Sequence, residues 1–382
     1  MKVHNILEKK LGQGEVRMKR KLTICPFTKR EYALINYLSD SFSIQHVLSP
    51  KGIGIEHDDI AYLRFVPNTG ITFCNSIESG VKDSDVVLIS DIDVTQDKLY
   101  GFAKEAMRYA AMEKKDIISF LSIDKKEQME IRELCAKHGT TYNSYESHLM
   151  AHSNLSSIGR LEKFDVPILY IAELFPGCES YDLFLSICCY LRRQGYNILG
   201  ISEDIYNSLF NLSYFKFNSD LNPAELIFRI NNAIHKMEKA LHPDLIVIRF
   251  PHPVMKYNEE TPFDCGASAY IISQAAPGDA GIITVPSGFS SPQFWDQFTE
   301  SYHTKFGYPI IGVQVSNQIC DSVAGLPATL IHISLDGVIK QNHLMNQRFQ
   351  VPFFNIYEDD LKKSLFDKII SEYIQMPYGV IN

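Results

Sequence analysis

The chain has 382 residues, a length that predicts two or three domains with sizeable cores. Hydrophobic residues make up 45% and charged residues 21%, a balance that excludes a largely disordered chain. The 37 lysines and arginines are outnumbered by 45 acidic residues, giving a formal net charge of −8. This deficit of positive charge argues against a protein that holds duplex nucleic acid through phosphate contacts.

The sequence lacks membrane and secretion patterns. No window approaches the ~20 uninterrupted apolar residues of a membrane span, and the polar, basic segment 1–20 lacks the apolar core of a signal peptide. We therefore interpret 1–20 as an N-terminal extension. The eight cysteines form no CxxC pair and are typical of buried free thiols in a reducing compartment. We expect a cytoplasmic protein with no membrane or nucleic-acid partner; self-association is left open.

Strand and helix patterns alternate along the first part of the chain. Strands are predicted at 21–27, 43–48, 71–74, 85–90 and 116–121, and helices at 30–38, 96–114 and 126–138. Continuous apolar strands separated by amphipathic helices indicate a parallel sheet covered on both faces. The pattern predicts a Rossmann-like or flavodoxin-like α/β domain over 21–150, followed by a linker over 151–164.

A second α/β pattern begins after this linker and predicts a domain over 165–382. Strands are predicted at 166–171, 196–201, 244–250, 280–285, 309–314 and 329–334, and helices at 182–194, 223–241 and 358–374. Residues 172–180 form the loop between the first of these strands and the following helix. The whole chain is therefore predicted to contain two Rossmann-like three-layer α/β domains.

The order of elements around this loop resembles P-loop NTPases of the group that includes dethiobiotin synthetase and nitrogenase iron protein. Their loop reads GxxxxGK[ST], because backbone N–H groups wrap the phosphates, the lysine neutralises them and the hydroxyl holds Mg²⁺. In this chain Gly177 falls at the second glycine and Ala172 replaces the first. The resemblance places a phosphate site in the loop.

This loop has lost the residues that bind a nucleotide. Cys178 stands in place of the lysine, Glu179 in place of the hydroxyl, and Pro176 removes one N–H group from the cradle. Acidic side chains at positions 173 and 179 would repel a polyphosphate. We predict a degenerate P-loop domain whose candidate binding residues are Gly177, Cys178, Glu179 and Ser180.

Three further residues are candidates for ligand binding. Glu203 and Asp204 follow the second strand, where they could hold a cation or act as helix-capping charges. His252 follows the strand 244–250, at the edge where α/β proteins place ligands. Cys178 could be a nucleophile or a packing residue, and the packing role is favoured. The sequence predicts no catalytic residue or metal site and identifies no cofactor.

Several features together resemble a clostridial family called peptide maturation system proteins. They are the length, the N-terminal α/β domain, the segment 175–182 (FPGCESYD) before a helix, and Asn231-Asn232 ahead of the segment 242–248 (HPDLIVI). The resemblance implies partners: a Cys-rich, bacteriocin-like precursor peptide and a radical SAM maturase.

The expected function is that of an accessory protein that binds the precursor or the maturase without hydrolysing nucleotide. The family resemblance supplies no catalytic residues, so a non-enzymatic role is favoured. Two alternatives remain open. One is a nucleotide-dependent peptide-modifying enzyme with an atypical phosphate loop, and the other is a sensor of a small ligand bound between the two domains.

Overall fold

The computed structural model describes residues 19–145, 160–216, 221–321 and 328–375. An N-terminal unit comprises Met1–His148 with Ser208–Asn211, and a C-terminal unit comprises Leu149–Asn207 with Leu212–Asn382. The predicted extension, apart from residues 19 and 20, and the predicted linker up to residue 159 lie outside the described residues. None of the helices in the described ranges is long and apolar enough to cross a bilayer.

The N-terminal unit is built on a five-stranded parallel sheet. Its strands are β1 (Arg20–Cys25), β2 (Phe42–Ser43), β5 (Val86–Ile89), β6 (Asp116–Ser119) and β7 (Tyr142–Ser144), while β3 (His46–Leu48) and β4 (Thr72–Cys74) form a separate parallel pair. The helices are α1 (Tyr32–Leu38), α2 (Ile77–Lys82), α3 (Asp97–Met112) and α4 (Lys125–His138), with a 3₁₀ turn at Ile60–Leu63. The sheet order β2-β1-β5-β6-β7 is the flavodoxin-like order.

Small side chains bring α3 close to the sheet of this unit. Ala103, Ala106 and Ala110 are fully buried in the same core as Val87 and Ile117. One prediction is wrong here, because the segment 43–48 is not a single strand. It is interrupted at Gln45, which is exposed, and its two parts pair with different partners, β2 with β1 and β3 with β4.

The C-terminal unit contains an eight-stranded sheet. Its strands are β8 (Ile168–Glu173), β9 (Ile198–Ser202), β10 (Ser213–Tyr214), β11 (Leu245–Arg249), β12 (Ala280–Ser287), β13 (Ile310–Asp321), β14 (Thr329–His332) and β15 (Phe353–Phe354). The order is β10-β9-β11-β8-β12-β13-β14, with β15 paired to the first half of β13. Only β14 among these pairs antiparallel. The chain crosses from β11 to β12 over β8, so the carboxyl end of β8 is a topological switch point, where open α/β sheets bind ligands.

Helices cover both faces of the large sheet. They are α5 (Ser180–Arg193), α6 (Pro223–Leu241), α7 (Ala267–Ala275), α8 (Pro292–Phe306), α9 (Leu335–Asn346) and α10 (Asp359–Ile369), with a 3₁₀ turn at Ile205–Phe210 and a π turn at Ile370–Ile374. Gly200 of β9 and Gly312 of β13 leave room for side chains of α5 and α10. On the opposite face, α6 to α9 share one core with the sheet. The predicted fold class, two Rossmann-like three-layer α/β domains, is confirmed.

Candidate functional site

The candidate loop is shorter than predicted, because Ala172 and Glu173 belong to β8 and Ser180 begins α5. Its six residues, 174–179, leave the sheet at the switch point. The Leu174 N–H donates to the carbonyl of Thr284 on β12 at 2.9 Å. Gly177 and Glu179 both adopt left-handed backbone conformations, with φ of +91° and +63°. These two turns reverse the chain and start the helix.

Apolar side chains fill the inside of this loop. Phe175 meets the rings of Tyr257 and Phe263 edge-on, each at a centroid distance of 5.3 Å. Cys178 packs into the same cluster and is fully buried. Burial raises the pKa of the Cys178 thiol well above its ordinary value, so the thiol stays protonated. Cys178 is a packing residue, and the position where a lysine would neutralise phosphate is occupied by an uncharged side chain.

A buried ion pair lies beside the loop, between Glu173 at the end of β8 and Arg249 at the end of β11. Arg249, the last residue of β11, donates from Nε to the Ser180 hydroxyl at 2.8 Å, and that hydroxyl donates to Glu173 Oε2 at 2.5 Å. Arg249 Nη2 lies 3.9 Å from the same carboxylate oxygen, with side chains of Arg249 and Glu173 only 17% and 4% exposed. Burial raises the pKa of Glu173, and the Arg249 charge opposes that rise. The guanidinium and the carboxylate therefore neutralise each other.

A second buried carboxylate belongs to the loop itself. Glu179 is 5% exposed, and its Oε2 accepts a hydrogen bond from Gln314 Nε2 of β13 at 3.2 Å. Gln314 is fully buried. The hydroxyl position of a working phosphate loop is thus taken by an acid that is hydrogen-bonded to strand β13 of the same sheet. These residues do not fit a triphosphate with its metal ion, because the cradle contains two carboxylates and no lysine.

The other predicted residues lie at the same carboxyl-terminal edge of the sheet. The Asp204 carboxylate accepts the N–H of Tyr206 at 3.0 Å, which starts the 3₁₀ turn after β9. Glu203 beside it is partly exposed. His252 is exposed, and its charge acts weakly to lower the pKa of Glu173. Of the predicted candidates, the structure groups Gly177, Cys178, Glu179 and Ser180 around the loop. Asp204 caps a turn.

Two residues of the site, Arg249 and Gln314, were not identified from the sequence. Arg249 and Gln314 each lie within an apolar strand, and neither belongs to a recognisable motif. One signal for Arg249 existed, because parallel strands end at the same edge of a sheet and Glu173 ends the neighbouring strand β8. Among the described residues, no group of three or more His, Cys, Asp or Glu side chains is arranged to hold a metal ion.

Comparison with known proteins gives a likeness of fold. A DUF1611 family protein from Anabaena variabilis ATCC 29413 matches with a TM-score of 0.58 and 8% identity, over 92% of this chain and 100% of that chain. S. aureus homoserine dehydrogenase (TM-score 0.25, 11% identity, 34% of this chain and 33% of that chain) matches a smaller part. So does the kinase domain of Escherichia coli tyrosine kinase ETK (TM-score 0.29, 14% identity, 39% and 67%). No family model and no curated protein sequence matches the chain.

Proposed function

We propose that the chain is an accessory protein in the maturation of a ribosomally made Cys-rich peptide. In this role it binds the precursor or the radical SAM maturase and does not hydrolyse nucleotide. The carrying observation is the internally neutralised loop, in which Glu173, Ser180 and Arg249 form one hydrogen-bonded chain. A fold that retains the ligand-binding edge but satisfies its charges internally is suited to binding other molecules through its surface.

The charge arrangement explains why nucleotide binding is unfavourable. A working site has a cation in the loop and a carboxylate on the adjacent strand to hold the metal. Here the cation, Arg249, is on the strand, and the carboxylates of Glu173 and Glu179 lie at the loop. A triphosphate placed against Gly177 would find no free cation in the loop, because the guanidinium of Arg249 is already paired with Glu173, and it would lie beside the buried Glu179 side chain. The triphosphate would therefore lose hydration without compensation.

Co-purification tests the accessory role. The full chain is co-expressed with a tagged precursor peptide and, separately, with the tagged maturase. We expect retention of the chain on at least one of them after washing in 0.3 M salt, roughly twice the physiological ionic strength, which screens non-specific charge contacts. Absence of retention on both partners would rule out the proposal.

Calorimetry with Mg-ATP and Mg-GTP tests the proposal that the chain does not use nucleotide. We expect no binding heat up to about 1 mM nucleotide for the wild-type chain. Saturable binding that is lost in Gly177→Val would instead support the nucleotide-dependent enzyme, since a side chain at the left-handed Gly177 would deform the loop.

A further inference from the structure

A groove in the C-terminal unit lies away from the candidate loop. It encloses about 330 Å³ between α8 and the segment 349–353. Its floor and back wall are apolar and include Trp295 and Phe353, whose rings meet edge-on at 5.1 Å, and Val313 of β13. The volume is at the lower end of the range for ligand sites and accommodates one large side chain.

The shape of the groove is fixed by hydrogen bonds. The Asn346 side chain bonds both main-chain groups of Phe353, accepting its N–H at 2.6 Å and donating to its carbonyl at 2.8 Å. The Trp295 indole N–H donates to the carbonyl of Phe289 at 2.7 Å, so the polar atom of the ring is already bonded. These contacts hold the groove open before any ligand arrives, which lowers the ordering cost of binding.

One wall of the groove carries unneutralised negative charge. Asp296 and Glu300 are exposed and lie one turn apart on α8, a spacing at which like charges repel. In the described part of the chain, neither carboxylate takes part in an ion pair. His303 follows on the same wall. The groove therefore combines an apolar floor with two carboxylates that a cation would relieve.

We propose that this groove binds an arginine side chain of a peptide partner, which deepens the proposed function and rests on it. The aliphatic stem of arginine would pack against the apolar floor, while the planar guanidinium donates to the Asp296 and Glu300 carboxylates at the rim. The negative charge of the rim and the apolar floor of the groove favour an arginine side chain over an acidic or a purely apolar ligand.

The experiment uses Trp295, the single tryptophan of the chain, as a reporter inside the groove. The ¹⁵N-labelled full chain is titrated with a capped Gly-Leu-Arg-Leu-Gly peptide and with the same peptide carrying citrulline, which has the shape of arginine without its charge. We expect a saturable shift of the indole N–H resonance with arginine and at least about tenfold weaker binding with citrulline, because charged hydrogen bonds are lost. Equal affinity for the two peptides would overturn the proposal.

Charge variants locate the site. Asp296→Asn/Glu300→Gln should weaken the arginine peptide by about tenfold, while Glu133→Gln, an exposed acid of α4 in the other unit, should leave it unchanged. Unchanged affinity in the double variant refutes the groove, and because both substituted side chains are exposed we expect this variant to fold. If the wild-type chain and the double variant capture the precursor equally, the proposal that the groove binds arginine is refuted while the accessory role stands. If neither protein retains the precursor or the maturase and the arginine peptide still binds in the groove, the accessory role fails alone.

Discussion

Replacing Arg249 with methionine removes the cation that compensates the buried Glu173 carboxylate. The two charges approach to 3.9 Å, which at an effective dielectric constant of about 20 corresponds to roughly 4 kcal/mol of attraction. Breaking such a pair by removing one partner leaves an uncompensated buried charge and costs about 3 to 5 kcal/mol. We therefore expect Arg249→Met to lower the free energy of unfolding of the C-terminal unit by about 3 to 4 kcal/mol at pH 7.5.

The loss should depend on pH. Burial raises the folded-state pKa of Glu173 above its unfolded value, and Arg249 limits that rise. Removing Arg249 raises the folded-state pKa further, so the variant binds a proton more readily in the folded state. A raised carboxyl pKa favours folding below the unfolded pKa, and this stabilisation is lost as pH rises through the folded-state pKa. The deficit of Arg249→Met is therefore largest at neutral pH and shrinks as the pH falls toward about 5.

Urea unfolding followed by Trp295 fluorescence measures this, since the single tryptophan lies in the same unit as the ion pair. Arg348→Met, an exposed residue that follows α9, is the matched control and should change stability by about 0.5 kcal/mol or less. Glu173→Gln should lower the free energy of unfolding by only about 1 to 2 kcal/mol, because the partly exposed Arg249 keeps its hydrogen bond to the Ser180 hydroxyl and can be hydrated by water. A loss below about 1 kcal/mol in Arg249→Met, or a loss equal at pH 5 and pH 7.5, would refute the reasoning.

Two other substitutions test the loop. Gly177→Ala should destabilise the unit by about 1 to 2 kcal/mol in urea unfolding, because alanine rarely adopts a left-handed backbone. Among the described residues, the added Cβ meets only Leu330 Cδ1, at an ordinary 3.6 Å, so the backbone alone accounts for the loss. A neutral result would contradict the left-handed turn. Cys178→Lys/Glu179→Ser restores the lysine and the hydroxyl of the motif but buries an ammonium in an apolar cluster. This variant should lose at least about 3 kcal/mol of stability in urea unfolding and show no calorimetric binding of Mg-ATP. Nucleotide binding by the variant would show that the absence of the lysine and the hydroxyl alone had prevented binding.

The sequence predicted the elements whose patterns are local. The helix at 223–241 has the predicted bounds, because Asn222 caps its start and Pro223 occupies its first turn. The helices α2, α7, α8 and α9 were missed. In α8, aromatic residues at positions 294, 295, 298, 302 and 306 follow helical spacing, but the apolar segments around it were interpreted as strands alone.

The site was predictable only in part. The position of the loop and the absence of its lysine follow from the amino-acid sequence around Gly177. The contacts of Arg249 with Ser180 and of Gln314 with Glu179 join residues 69 and 135 positions apart, which no local pattern reports. They depend on which strands become neighbours, and that order is a property of the whole sheet.

The pairing of Asn346 with Phe353 has a consequence for the solubility of the folded protein. An unpaired flank of a sheet is a template on which further chains can add, and proteins protect such flanks in several ways. Here one amide side chain satisfies both main-chain groups of Phe353, as a neighbouring strand would. Folded copies at high concentration therefore find no unpaired main-chain N–H or C=O group at Phe353, so a further strand cannot pair there.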